Sequence, residues 1–169
     1  ASKWMYENVP DGSVWVTEHW EEGMPLHLNL PEGGGSPGAH GWQNLTMPMY
    51  EEDNTGKYET IKQNLREGDY YVLATKRLYG ALPHFPERYP MSTRFYELLF
   101  DEQLGYELAG EFTTYPSLFG IEINDQSADE SFWVYDHPRT LIYKKVRNLS
   151  DAEWKELLGG TWETAIPGY

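Results

Sequence analysis

The spacing of apolar positions changes several times along the chain, and each change marks an element. Val14 to Thr17 is a short apolar run after a Pro-Asp-Gly-Ser turn, which predicts a strand leading straight into Glu18, His19, Trp20, Glu21 and Glu22. Tyr58, Ile61 and Leu65 recur at helical spacing with Asn54 in front and Gly68 behind, predicting a helix over 54–67. A strand over 70–75 follows at once. A second helix is expected from Ser92, with Phe95, Leu98 and Leu99 on one face and its end before Gly105. Tyr106, Leu108 and Phe112 then alternate, as in a half-buried strand. Residues 131–146 read as an antiparallel hairpin turning at Asp136–Arg139, where Pro138 suits a tight bend. Near the end, Ser150 and Glu153 form a capping box, and Leu149 and Trp154 occupy the two staple positions.

The segments between these elements differ in kind. Residues 31–44 are too rich in Gly and Pro for regular structure. The opening stretch ASKWMYENVPDG reads as the last turns of a helix stopped by Pro10 and Gly12, which suggests a segment cut from a longer protein. Strand, helix, strand, helix, strand and hairpin in that order predict one α/β domain over 1–169. Its expected form is a Rossmann-like sandwich, with a mixed, partly parallel sheet flanked by helices and a carboxyl-terminal antiparallel hairpin.

Composition narrows the function. With 169 residues the chain is long enough to close a real core. A formal net charge of -14 and a pI near 4.6 argue against nucleic acid as partner, because phosphate contacts need a basic footprint. The absence of cysteine rules out disulfides, thiol nucleophiles and thiolate metal sites. No stretch reaches the roughly 20 apolar residues of a membrane helix, and the mean hydropathy is -0.66. The 15% aromatic content is the unusual figure, since rings with polar edges serve cores, interfaces and sugar platforms alike.

Against that acidity, Lys76, Arg77, Arg88 and Arg94 stand out, with Glu87 the only acid between the first and the last. In a parallel α/β sheet ligands bind beyond the carboxyl ends of the strands, where the loops after strands 14–17 and 70–75 would both lie if those strands are neighbours. The candidate ligand-binding set is therefore Glu18, His19 and Trp20 from the first loop, with Lys76, Arg77, Tyr79, Arg88, Tyr89 and Arg94 from the second region. Guanidinium forks beside tyrosines suit a phosphate or sugar phosphate; the alternative is that these cations pair with the chain's own surplus acids. His19 among Glu18, Glu21 and Glu22 lacks any zinc-ligand register, so no metal is expected there. Asp136 and His137 are explained by the predicted turn as well as by catalysis. The glycine run 33–35 lacks a P-loop ending, and there is no nucleophile elbow, so no cofactor and no catalytic residue are implied.

Residues 50–123, together with 128–145, carry the pieces RLYG, PERYP, YELLF and VYDHP. These resemble the carboxyl-terminal soluble region of a family of large prokaryotic multi-spanning membrane proteins. The family is described as phospholipid-carrier-dependent glycosyltransferases of the protein-mannosyltransferase type, or as proteins of unknown function. The segment EHWEEGMPL also resembles the family, and the likeness covers about residues 1 to 147. It departs from the family pattern in having Glu21 and Glu22 where Asp commonly follows the Trp, and in its more glycine-rich stretch 31–44.

The resemblance implies an extracytoplasmic domain on a prokaryotic membrane protein, without the catalytic acid, which belongs to a loop among the membrane helices. Its expected partners are its own membrane-spanning region and a sugar or sugar phosphate on a lipid carrier. Three readings stay open on the sequence: an accessory domain assisting donor or acceptor recognition, a stand-alone carbohydrate-binding or scaffold module, and an independent enzyme using Glu18, His19 and Asp136.

Overall fold

A computed structural model describes residues 1–21, 23–31, 33, 35–113, 115, 117–118, 121–122 and 138–166. In chain order the elements are α1 (Ser2–Asn8), β1 (Val14–Glu18), β2 (Gln43–Met47), α2 (Thr55–Glu67), β3 (Tyr70–Leu73), α3 (Arg77–Ala81), α4 (Pro90–Phe100), β4 (Tyr106–Phe112), β5 (Ser117–Leu118), β6 (Ile121–Glu122), β7 (Thr140–Lys145) and α5 (Asp151–Leu157). Five strands form one sheet in the order β2-β1-β3-β7-β4. β1 runs parallel to both β2 and β3, whereas β7 is antiparallel to β3 and β4. The fold is thus the mixed, partly parallel α/β sheet with flanking helices that the apolar pattern predicts.

Period-two alternation assigns the two faces. Val16, Tyr71, Leu73, Leu141 and Tyr143 point into a large core shared with α2, α4 and α5. Their neighbours Trp15, Tyr70, Val72 and Ile142 point the other way, onto Met5, Tyr6 and Val9 from the α1 region and onto Met24 and Trp42. Because both faces are covered, β3 is buried at every position, as a central strand with parallel and antiparallel neighbours must be.

The helices start where their caps dictate. Asn54 accepts from the Lys57 amide at 3.0 Å and starts α2, which lays Tyr58, Ile61 and Leu65 on the sheet. Ser150 and Glu153 close a reciprocal capping box at α5, and Trp154 is buried beneath it. Gly105 has φ +77°, and an added Cβ would run into the Arg147 carbonyl oxygen, so the α4–β4 turn requires glycine.

Several expectations need correction. α4 begins at Pro90, not Ser92. Proline is preset for the first turn, and the next two amides, of Met91 and Ser92, donate to the Asp53 carboxylate at 2.7 and 3.2 Å. β3 ends at Leu73, not at residue 75. β2 and α3 went unpredicted, because β2 starts inside a segment read as loop and α3 is only five residues long. β4 is an edge strand with Leu108 42% exposed and a register shift between Leu108 and Gly110, so only Tyr106 of the expected alternating face is buried. The first strand of the predicted hairpin, with Asp136 and His137, lies outside the described residues. Its second strand, β7, sits between β3 and β4.

Candidate functional site

Adjacent parallel strands β1 and β3 send the chain to opposite faces of the sheet. After β1, Met24, Leu28 and Leu30 pack on the α1 side. After β3, Leu78, Tyr79, Leu82 and Tyr89 pack on the α2–α4 side. Divergent exits from neighbouring parallel strands open a crevice at their carboxyl ends, where open α/β sheets bind ligands.

The two loops meet there. Thr75, just past β3, donates its hydroxyl to Glu21 Oε1 at 2.8 Å. Arg77 Nη1 donates to the Trp20 carbonyl at 2.9 Å, and its own amide donates to Thr75 Oγ1. These bonds tie the turn after β1 to the exit of β3. Within that turn Trp20 takes a left-handed backbone conformation, φ 74°, which costs a non-glycine residue about 1 kcal/mol or more. Its ring is 66% exposed.

From Trp20 a row of rings runs along the rim. The Trp20 and Tyr50 centroids are 6.1 Å apart, and Tyr50 and Tyr89 again 6.1 Å. His19, itself exposed, adds a ring 5.5 Å from Trp20. Tyr50 is exposed, whereas Tyr89 is buried and carries the exposed Arg88 guanidinium over its face at 5.1 Å. Arg77 and Arg88 therefore stand at opposite ends of one aromatic row. The other two cations are placed differently. Arg94 pairs with Glu97 at 2.9 Å along α4. Lys76 is half-buried with its stem packed where Gly80 has no side chain. Glu22 lies outside the described residues.

On the α2–α4 side of the sheet end sits an acidic group that the sequence reading placed in the site without its partners. Glu18, the last residue of β1, is only 3% exposed. Its Oε1 accepts from the Tyr71 and Tyr96 hydroxyls, both at 2.7 Å. Its Oε2 is buried with no hydrogen-bond partner. Burial pushes its acid range up to about 8; the two tyrosine bonds and Lys57 oppose the shift, while the charge on Glu21 adds to it. Burial and the Glu18 charge likewise raise Tyr71 and Tyr96 well above the ordinary phenol range.

Tyr79 packs near Tyr96 with ring centroids 6.2 Å apart, and its buried hydroxyl also lacks a partner. Burial again raises it most; Arg139 opposes that, and Glu18 and Glu21 add to it. Tyr71, Tyr96, Thr75 and Tyr50 were missed from sequence. Tyr71 shares the sheet face of Val16 and so was legible as a neighbour of Glu18, but Tyr96 reaches the site only through the packing of α4.

Among the described residues, no group of three or more His, Asp and Glu could hold a metal ion. Among them, too, no helix is long and apolar enough to cross a membrane. A separate cavity between α1 and the 30–40 segment is lined by Lys3, Tyr6, Glu7 and His40. There the His40 ring is stacked on Trp42 at 4.6 Å and its Nδ1 lies 2.6 Å from Asp11, so it is committed to holding the loop.

The carboxyl ends of the strands in this α/β sheet thus gather rings, guanidinium groups and one buried acid. No protein-family model, curated protein or solved structure matches the chain.

Proposed function

We propose that this chain is an extracytoplasmic accessory domain of a membrane glycosyltransferase-like protein, holding the sugar of a lipid-carried donor or acceptor at the rim of its sheet. The observation that supports this reading is the Trp20–Tyr50–Tyr89 row, flanked at its two ends by Arg77 and Arg88. Sugar rings stack their C–H faces on exposed aromatic faces, and a guanidinium group beside them suits a phosphate. The segments RLYG and PERYP, which carry the family resemblance, hold Arg77, Tyr79, Arg88 and Tyr89 themselves.

NMR titration with hexose 1-phosphates, set against the matching methyl hexosides, tests it. The Trp20 indole and Tyr50 ring signals shift at millimolar ligand, and Trp20→Ala weakens binding about tenfold, as loss of one stacking surface does. Arg88→Ala removes the preference for the phosphate-bearing sugar and leaves the methyl hexoside unaffected. Unmoved Trp20 and Tyr50 signals across the series would reject the reading. A preference for neutral sugars that Arg88→Ala leaves unchanged would favour a stand-alone carbohydrate-binding module instead.

A further inference from the structure

Among the buried polar atoms that lack partners, two belong to groups of complementary chemistry. Glu18 Oε1 is filled by two hydroxyl donors, from Tyr71 on β3 and Tyr96 on α4. Whatever hydrogen bond the carboxyl still offers must therefore come from Oε2, which has none. The Tyr79 hydroxyl on α3, near Tyr96, also has none. Both residues are more than nine-tenths buried. Each such group is costly while it stays unpaired, and a ligand that pairs both recovers that cost.

We infer that the Glu18 carboxyl and the Tyr79 hydroxyl are the specificity-determining pair of the proposed sugar site, receiving one uncharged ring hydroxyl of a hexose between them and rejecting uronic acids. The inference rests on the sugar-recognition reading and adds which sugars fit. A ring hydroxyl both accepts and donates, so it takes the proton on Oε2 and gives its own to Tyr79. A carboxylate in the same place accepts only, and it would add a negative charge beside Glu21. Phosphate stays outside, at Arg88.

The pair works only while Glu18 keeps its proton. Burial sets this first, with Tyr96 on α4, Tyr71 on β3, Glu21 in the turn and Lys57 on α2 acting on Glu18, while Arg139, Glu18 and Glu21 act on Tyr79.

Binding of methyl hexosides and of the corresponding hexuronic acids is measured by NMR from about pH 7 to about pH 9.5, above the usual histidine range. The wild-type protein binds the hexoside and loses about tenfold in affinity as pH passes the value near 8 at which Glu18 gives up its proton. Glu18→Gln keeps a donor on the same atom, so it retains hexoside binding and flattens the pH profile. Tyr79→Phe weakens the hexoside about fivefold, and hexuronic acids bind poorly to all three proteins. Near-ultraviolet circular dichroism confirms that each variant is folded at each pH.

A pH-independent wild-type affinity, or a hexuronic acid bound as tightly as the hexoside, overturns the inference. If hexose 1-phosphate still shifts Trp20 in that case, sugar recognition at the row stands and only the Glu18–Tyr79 pairing falls. If no sugar shifts any signal, both fall together.

Discussion

Two buried polar clusters lie in the same layer between the sheet and its helices, and they are finished to different degrees. In the first, the Lys57 side chain is 1% exposed and that of Asp53 is fully buried. Lys57 Nζ finds acceptors at Met49 O, Glu51 O, Asp53 Oδ1 and Ser92 Oγ, all between 2.6 and 2.8 Å. Asp53 in turn takes the Met91 and Ser92 amides at the start of α4. In the second, Glu18 fills one oxygen and leaves the other empty, and Tyr79 is left open beside it. A closed network fastens α2 to α4 and the 49–53 segment. An open one leaves buried polar atoms unpaired at the strand ends, where open α/β sheets bind ligands.

The largest effect should come from opening the closed cluster. Lys57→Met leaves Asp53 charged and buried without its ion partner, and about 3–5 kcal/mol is lost. Urea denaturation reads this directly. A loss under about 1 kcal/mol would mean that the amides of α4 hold Asp53 unaided, and the contrast between the clusters would weaken.

Of similar size is the pH dependence set by Glu18. Its acid range lies near 8 in the folded protein against 4.5 ordinarily, so the folded state keeps a proton that the unfolded chain releases. Stability is full below about 4.5, falls as pH rises through the interval, and levels off above about 8. At roughly 1.4 kcal/mol per unit the drop amounts to several kcal/mol. The difference in urea midpoint between wild type and Glu18→Gln, followed from about pH 5 to about pH 8, isolates it from the exposed acids. A constant difference across that interval would show Glu18 ionised throughout and remove the chemical basis of its empty oxygen.

The contrast also explains what could be read in advance. Elements whose cause is local were legible: α2 from Tyr58, Ile61, Leu65 and its Asn54 cap, and α5 from its capping box. That the two strand-end loops face each other was legible only on the condition that β1 and β3 are neighbours, and whether they touch could not be read in advance; the Thr75–Glu21 and Arg77–Trp20 bonds decide it. Features caused by distant residues stayed hidden. Asp53 capping α4 from 38 residues upstream moved the helix start, and no periodicity marks Lys57 as a buried cation on an otherwise ordinary helix. The cations drew attention by charge contrast, yet charge alone could not tell Arg94, paired within its own helix, from Arg88, laid over a ring. Tyr96 was not among the face residues Phe95, Leu98 and Leu99, and its hydroxyl acquired meaning only when α4 packed over the end of β1.

The smallest effect is the most discriminating one. Tyr96→Phe and Tyr79→Phe each delete a single buried hydroxyl from neighbouring rings of the same layer. Tyr96 donates to Glu18, so its loss should cost about 1 kcal/mol and push the Glu18 acid range higher still, because a bond that lowers it is gone. Tyr79 gives up no bond, so its replacement should change stability by less than about 0.5 kcal/mol, or raise it slightly, since a buried unpaired hydroxyl is itself a cost. Thermal unfolding of both variants at one pH makes the comparison. A Tyr79→Phe loss as large as that of Tyr96→Phe would show that the Tyr79 hydroxyl has a partner within the folded chain. The second cluster would then be as closed as the first, and its place at the strand ends would carry no meaning for binding.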